Sequence, residues 1–145
     1  ILMHMRGTPA TMQTMCDYEN VTLDVVKELS MKLNRLQELG VSDVIVDPGF
    51  GFSKTTEQNY VLMKDLPHII DALRRPVLVG ISRKSMLTKP LHITPGEALE
   101  ATVACNTVAL LSGASFLRVH DVKAARHALS VVTFVSQPQT VTSCL

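Results

Sequence analysis

The feature that most constrains this chain is a fourfold alternation of short apolar runs with longer segments of helical periodicity. The apolar, strand-like runs are residues 1–5, 44–46, 77–81 and 116–120. The helical segments are residues 22–39, 56–73, 95–111 and 122–132, with an interruption expected at Pro67. Strands that alternate with helices favour a parallel sheet, because the connection between two parallel neighbours needs a crossover helix.

Two α/β architectures accommodate four strand–helix units. One is half of an eight-unit barrel, whose usual length is about 250 residues. The other is a small open doubly wound sheet, which needs no further units. The helix at 95–111 is apolar almost all round, which is typical of burial on two sides, in a core or against another subunit. We expect one domain over residues 1–136 and a frayed tail at 137–145, where periodicity is lost.

Composition argues against several function classes. The formal net charge of the 145 residues is +1, so no electrostatic footprint indicates a nucleic acid or a membrane surface as partner. No apolar stretch approaches the roughly 20 residues that a membrane helix needs. The cysteines, Cys16, Cys105 and Cys144, are far apart and form no CxxC or Cys/His cluster. This pattern predicts reduced thiols in the cytoplasm.

Polar residues follow the second strand, at the end where ligands meet a parallel α/β sheet. The segment is DPGFGF, residues 47–52. Its two glycines let the backbone turn sharply and approach a ligand. Asp47 lies at the strand tip, where a carboxylate can pair with a two-donor edge such as a guanidine-like ring. The alternative interpretation is a turn or helix-capping aspartate beside core aromatic residues.

A basic segment, GISRKS at residues 80–85, follows the third strand. Lys84 can present a point charge to a ring carbonyl or nitrogen, and Ser85, near a helix start, can help to hold an anion. The competing interpretation is a solvated basic loop. The phosphate-binding pattern GxxxxGK[ST] is not found here, so a nucleotide P-loop is not supported.

The fourth strand ends in FLRVHD, residues 116–121. Strand alternation sends Arg118 and His120 to the same face, where together they could clamp a diphosphate. A structural ion pair with Asp121 or another acid is the alternative. On the first strand, Met3 favours core packing and could also form a pocket wall.

The segments LMHMRGTPATMQ, DPGFGF, VGISRKSML and RVHDV, in this order and spacing, resemble the dihydropteroate synthase family over residues 2–132. The resemblance implies a (β/α)₈ TIM barrel, of which this chain carries only the last four units. It also implies a cytoplasmic transferase of folate biosynthesis, the target of sulfonamides. In the implied reaction, p-aminobenzoate displaces diphosphate from 6-hydroxymethyl-7,8-dihydropterin diphosphate and gives dihydropteroate.

The resemblance also implies roles for individual residues. Asp47 would accept hydrogen bonds from the pterin, Lys84 would contact the pterin ring, and Arg118 would stack on the pterin. Arg118 and His120 would hold the leaving diphosphate, and these two with Lys84 are the expected catalytic residues. The pterin pocket would be lined by Met3, Phe52 and Gly80, and p-aminobenzoate would lie near Ser82, Ser85 and Phe52.

The N-terminal half of the family lies outside this sequence, and with it the asparagine associated with Mg²⁺. We therefore expect magnesium dependence without a metal ligand in this chain, and little or no synthase activity from the chain alone. The intact family commonly dimerises through its last helices, and the apolar helix at 95–111 is consistent with that use.

Two other interpretations remain open. One is a pterin-binding domain of a corrinoid-dependent methyltransferase, which needs no diphosphate clamp, so Lys84, Arg118 and His120 favour the synthase. The other is a non-catalytic truncated fragment.

Overall fold

The structure, a computed structural model, describes residues 1–137. Its strands are β1 (Leu2–Met3), β2 (Val46–Asp47), β3 (Leu78–Val79) and β4 (Phe116–Leu117). Its helices are α1 (Val21–Glu38), α2 (Thr56–Lys64), α3 (Leu66–Leu73), α4 (Ser85–Leu91), α5 (Leu99–Leu111) and α6 (Val122–Ser136). The expected α/β class is confirmed. The predicted tail at 137–145 falls almost wholly outside the described residues, so the domain boundary stays a prediction.

The four strands run parallel. β1 pairs with β2, with Leu2 opposite Val46, and β3 pairs with β4, with Leu78 opposite Phe116. A parallel bridge between Val46 and Val77 joins the two pairs in the order β1-β2-β3-β4. Because all four strands point the same way, their carboxyl ends and the loops that follow lie at one end of the sheet.

The first two predicted helices form close to the expected positions. The side chain of Asn20 accepts a hydrogen bond from the backbone N–H of Leu23 and caps α1. The predicted interruption near Pro67 is confirmed, because the segment divides into α2 and α3 at Asp65, with Pro67 in the first turn of α3. α6 extends to Ser136 rather than ending at residue 132.

The prediction of a loop after β3 was wrong in part, because Ser85–Leu91 forms the helix α4 in spite of Pro90. A proline lacks the N–H that would bond the carbonyl four residues earlier, here that of Met86. The hydroxyl of Tyr60 donates to this carbonyl oxygen at 3.0 Å and replaces the lost bond. The segment also buries Met86 and Leu87, which stabilises the helix through packing.

The predicted helix at 95–111 begins with a 3-10 turn at Pro95–Glu97, and α5 proper starts at Leu99. α5 does not bury all its sides within this chain. Thr102, Asn106 and Ala109 face the core, whereas the side chains of Val108 and Leu111 are 47% and 61% exposed.

The main core lies between the sheet and helices α1 to α3. Its members include Val25 and Leu29 of α1, Leu62, Leu66 and Ile69 of α2 and α3, and Val46, Val79 and Ile81 of the strands and their ends. Phe50, from the loop after β2, is fully buried in the same cluster and fixes that loop to the core. Among the described residues, no helix has the length and apolar character needed to cross a membrane.

Candidate functional site

The site lies at the carboxyl ends of β2, β3 and β4. Asp47 is the last residue of β2, Gly80 follows β3, and Arg118 follows β4. The Arg118 Nη2 atom is 3.5 Å from the Asp47 Oδ2 atom. A Cβ on Gly80 would lie only 2.9 Å from the same nitrogen, so the absence of a side chain here leaves room for the guanidinium to cross β3. Three strand ends thus bring a carboxylate and a guanidinium together across the sheet.

Asp47 forms the turn that was one of the two roles considered for it, and its role toward a ligand stays a prediction. Its residue exposure is 2%, and its Oδ1 atom accepts the backbone N–H of Gly49 at 2.8 Å, as a turn aspartate does. Its Oδ2 atom faces Arg118. The turn fixes the carboxylate and leaves one oxygen directed toward the site.

Lys84 joins the same group from the loop before α4. Its ammonium lies over the ring of Phe52, 4.6 Å from the centroid, and donates to the carbonyl oxygen of Phe50. Burial lowers the pKa of Lys84 to about 8, with a further lowering by the charge of Arg118 that the charge of Asp47 opposes. The basic segment is therefore not simply solvated, and its lysine faces the site.

His120 is held by Ser82. The hydroxyl of Ser82 accepts the backbone N–H of His120 at 3.2 Å and lies 2.9 Å from the Nδ1 atom of its ring. Asp121 pairs instead with Arg83, in a two-point contact at 2.6 and 3.1 Å. The hydrogen bond from Arg83 holds the pKa of the Asp121 carboxyl below its ordinary value. Asp121 does not pair with Arg118 or His120, but Arg118 does form an ion pair with another acid, Asp47.

Most of the predicted residues line one cavity of about 160 Å³. Its lining consists of Gly80, Ser82, Lys84, Arg118, Val119 and His120. Met3 is half-buried on the neighbouring strand, opposite Asp47 in the β1–β2 register. Ser85 is not brought into this cavity, since it is exposed at the start of α4 and lines a separate cavity of about 330 Å³. The binding roles of all these residues stay predictions.

A second group behind the site was missed from the sequence. Lys54 is 4% exposed, and its Nζ atom bonds the ring of His4 and two carbonyl oxygens of the loop after β2. His4 is fully buried and lies 3.0 Å from Glu28, which also accepts from Arg6. The only available signal was the position of Lys54 two residues after the DPGFGF segment, which does not distinguish a buried lysine from a solvated one.

Burial dominates the titration of this second group. It lowers the pKa of Lys54 to about 7, and the charges of Asp47 and Glu28 oppose that change. Burial also lowers the pKa of His4 to about 4, with the positive charge of Lys54 as the next cause. His4 is therefore a neutral ring between Lys54 and the Glu28 carboxylate at neutral pH.

Within residues 1–137, no group of three or more His, Cys, Asp or Glu side chains converges in a way that could hold a metal ion. The described residues do not by themselves fit a magnesium site, and no step proposed below passes through the metal.

The sequence and the fold both match known proteins. Residues 1–120 match the model of the family described as pterin binding enzyme. Dihydropteroate synthase of Escherichia coli strain K12 is 39% identical over 133 residues, which are 90% of this chain and 47% of that enzyme. The structure of the Thermus thermophilus enzyme in complex with 4-aminobenzoate is 40% identical, with a TM-score of 0.85, over 90% of this chain and 54% of that one. A second structure of the Thermus enzyme, in complex with 6HMPPP, matches with the same identity and TM-score over 90% and 52% of the two chains. The chain thus spans about half the length of the relatives it matches.

Proposed function

Because the chain belongs to the pterin binding enzyme family, we propose that it supplies the pterin and diphosphate site of a dihydropteroate synthase. The reaction joins 6-hydroxymethyl-7,8-dihydropterin diphosphate to p-aminobenzoate and releases diphosphate. The observation that carries the proposal is the convergence of Asp47, Lys84 and Arg118 from three neighbouring strand ends. Complexes of the similar Thermus enzyme with 4-aminobenzoate and with 6HMPPP support the same pair of substrates.

The chain would form the last four β/α units of an eight-stranded barrel. Its parallel strand order supports this architecture, as does its similarity to about half of each related enzyme. β1 and β4 lie at the two edges of the described strand order and pair on one side only. Such edges readily pair with another strand. In a complete barrel each would meet a strand of the other four units.

The residues suit a reaction in which an anion leaves. As the bond from the pterin methylene to the diphosphate oxygen breaks, negative charge grows on the diphosphate and positive charge on the pterin. Arg118 can donate two parallel hydrogen bonds to the phosphate oxygens, and its side chain is 55% exposed and so open to a ligand. Asp47 accepts hydrogen bonds from the pterin and stabilises the positive ring. Because these charges are in position before the reaction, they stabilise the transition state and do not have to rearrange as it forms.

Ser82 sets the direction of His120. Since the Ser82 hydroxyl oxygen accepts the backbone N–H of His120, its own proton can be donated to the Nδ1 atom. The remaining ring proton then lies on Nε2, from which it can be donated to a phosphate oxygen. Ser82 in this proposal acts through His120 and not on p-aminobenzoate directly.

The amine of p-aminobenzoate forms the new bond to the pterin methylene carbon as the bond to the diphosphate oxygen breaks, and the nitrogen then loses one proton to the solvent. It is the nucleophile, so the protein needs to orient two substrates and supplies no covalent intermediate. The ring of Phe52 lies under the Lys84 ammonium, at the edge of the proposed pterin site. Ser85 lies at the start of α4 and lines the cavity of about 330 Å³. We place p-aminobenzoate between these two residues.

The partners proposed for the complete enzyme follow from its surface and its family. The exposed apolar side chains on α5 and α6, among them Leu111 and Val135, support a homodimer through the last helices. Magnesium would act on the diphosphate and would be held by residues of the other four units. Cys16 and Cys105 are free thiols in the described part of the chain, which supports a reducing, cytoplasmic location.

The direct test is a steady-state assay with pterin diphosphate, Mg²⁺ and p-aminobenzoate that follows dihydropteroate and released diphosphate. It compares the chain alone with the chain mixed with the N-terminal half of the E. coli enzyme. We expect activity only in the mixture, reduced on the order of 100-fold by Asp47→Asn, because one removed transition-state contact costs about that much.

Asp71→Asn is the matched control, since Asp71 is an exposed acid on α3, away from the strand ends. It should leave the rate unchanged. Turnover by the chain alone would contradict the expectation that four units are insufficient. Equal rates for the Asp47 and Asp71 variants would refute the proposed pterin site.

A further inference from the structure

Lys54 lies behind the loop of residues 47–52 and has no N–H left for a ligand. Its Nζ atom is 3.0 Å from each of three acceptors, the Nδ1 atom of His4 and the carbonyl oxygens of Gly49 and Phe52. A lysine ammonium has three donors and no acceptor, so all its hydrogen-bonding capacity is used inside the protein. A buried cation with this many internal partners is a fixed structural contact.

Gly49 connects this ammonium to the carboxylate of the site. The Gly49 carbonyl oxygen accepts from Lys54, and the Gly49 N–H donates to the Asp47 Oδ1 atom at 2.8 Å. Gly49 also packs against β1 so tightly that a Cβ would lie 1.9 Å from the His4 carbonyl oxygen. A shift of this residue would therefore move the Asp47 carboxylate with it.

Phe52 is the second residue that Lys54 controls. Its carbonyl oxygen accepts from the Lys54 ammonium, while its ring lies 4.6 Å from the Lys84 ammonium. The backbone of Phe52 is thus fixed from behind the loop, and its ring faces the site. In both cases Lys54 bonds a main-chain oxygen of the loop. These contacts therefore do not involve the side chains that a ligand would touch.

His4 and Glu28 hold Lys54 in turn. Because Lys54 donates to Nδ1, the proton of the neutral His4 ring lies on Nε2, which donates to the Glu28 carboxylate at 3.0 Å. Glu28 also accepts from the Arg6 Nε atom at 2.8 Å and lies on the long helix α1. The network links the loop to β1 and α1, two elements that do not otherwise contribute to the proposed ligand contacts of Asp47.

We propose that Lys54 is a positioning residue of the pterin site, acting through Gly49 on the Asp47 carboxylate and through the Phe52 main chain on the Phe52 ring. The inference rests on the proposed function, since it concerns the same ligand. It adds a residue that does not touch the pterin and yet determines how tightly the pterin is bound; Lys54 also lines the cavity that Ser85 lines.

The test uses Lys54→Met, which keeps the length of the side chain and removes its donors. Lys64→Met is the control, because Lys64 is an exposed lysine at the end of α2 and its loss changes the net charge equally. Calorimetry with 6-hydroxymethyl-7,8-dihydropterin diphosphate should give binding about 10- to 100-fold weaker for the Lys54 variant, the range expected when a ligand contact is displaced by about 1 Å. The Lys64 variant should bind as the unaltered chain does.

NMR supplies a readout that does not need the ligand. In Lys54→Met, the Asp47 carboxyl carbon and the Gly49 amide should both change in chemical shift, whereas Lys64→Met should leave both unchanged. Unchanged Asp47 and Gly49 signals in a folded Lys54 variant would overturn the positioning role, whatever the affinity. If the unaltered chain binds no pterin diphosphate even when it is mixed with the N-terminal half of the E. coli enzyme, the proposed function fails, and the NMR comparison still decides whether Lys54 positions Asp47.

A pH titration of the unaltered chain covers the case in which Lys54→Met does not fold. The charged groups around Lys54 are Asp47 and Glu28, which favour its ammonium, and Lys84 and Arg6, which disfavour it, with neutral His4 in contact. With the pKa of Lys54 lowered to about 7, loss of one proton leaves two N–H groups for three acceptors. The Gly49 and Asp47 signals should then change with the same midpoint as the Lys54 side chain.

Over this pH range the contacts of the loop should weaken, whereas the free energy of unfolding of the whole chain should rise. The pKa of Lys54 is lower in the folded chain than in the unfolded one, so this group makes folding more favourable as the pH rises above 7. Gly49 and Asp47 signals that stay constant while Lys54 titrates would refute the inference.

Discussion

Replacing Gly49 by alanine should destabilise the fold far more than the same change at Gly40. Both glycines have left-handed backbone angles, with φ of +74° and +79°, so both substitutions carry the same conformational cost. For an L-residue this cost is about 1–2 kcal/mol. The two sites differ in the space around them, which makes Gly40 a matched control.

The steric part of the cost follows from the surroundings of the new methyl group. At Gly40 no atom lies within 4 Å, whereas at Gly49 the Cβ would lie 1.9 Å from the backbone oxygen of His4. Ordinary contact begins near 3.4 Å, so β1 and the loop must separate by the difference of 1.5 Å. That movement breaks the hydrogen bond from the His4 N–H to the Asp47 carbonyl oxygen, now 2.9 Å long, or the Asp47–Gly49 turn.

The broken contacts are buried, and each buried polar group left without a partner costs about 1–3 kcal/mol. We therefore expect Gly49→Ala to lower the free energy of unfolding by about 2–5 kcal/mol, against about 1–2 kcal/mol for Gly40→Ala. The larger loss is a substantial part of the roughly 5–15 kcal/mol that stabilises an ordinary domain. Urea unfolding followed by circular dichroism measures both values.

The result that would refute this reasoning is an equal loss of stability in the two variants. It would mean that β1 and the loop can separate without breaking their hydrogen bonds. The rigidity attributed to the Asp47 turn would then be unfounded, and with it the link from Lys54 through Gly49.

Two further predictions concern α4 and the buried histidine. Tyr60→Phe should lower the free energy of unfolding by about 1 kcal/mol, because it removes the donor to the Met86 carbonyl that Pro90 leaves unpaired; urea unfolding measures the loss. The free energy of unfolding should also fall as the pH is lowered from 6.5 toward 4. In this window the unfolded chain protonates His4 while the folded chain, in which the pKa of His4 is about 4, does not. The loss should amount to up to about 3 kcal/mol, and unfolding curves at several pH values, with ring signals of His4 followed by NMR, measure it.

Each of these two has a specific contrary outcome. A Tyr60→Phe variant as stable as the unaltered chain would show that the Met86 carbonyl finds another partner. A His4 ring that titrates near 6.5 in the folded chain would show that it is open to water and not held between Lys54 and Glu28.

The order of elements could be predicted from the sequence because the signals for it are local. Hydrophobic periodicity identified α1 and α6, Pro67 marked the break between α2 and α3, and the parallel arrangement placed three polar segments at one end of the sheet. These features depend on neighbours within a few residues or on the handedness of crossovers, so no tertiary information was needed.

The sequence also contained the residues of the site, but it did not contain their pairing. Asp121 is a plausible partner for Arg118 or His120 from its position alone, and the fold pairs it with Arg83 instead. Pro90 and the polar residues around it oppose a helix at α4, and only the distant hydroxyl of Tyr60 removes that objection.

Lys54 and His4 show most clearly what the tertiary structure decided. They are 50 positions apart in the sequence, and each is ordinary in its local segment. Burial and charge state depend on which atoms from remote segments surround a group, and those surroundings arise only when β1, α1 and the loop after β2 pack together. The sequence by itself determined the elements and the ends at which chemistry could occur; packing determined which lysine faces the proposed ligand and which one holds the loop behind it.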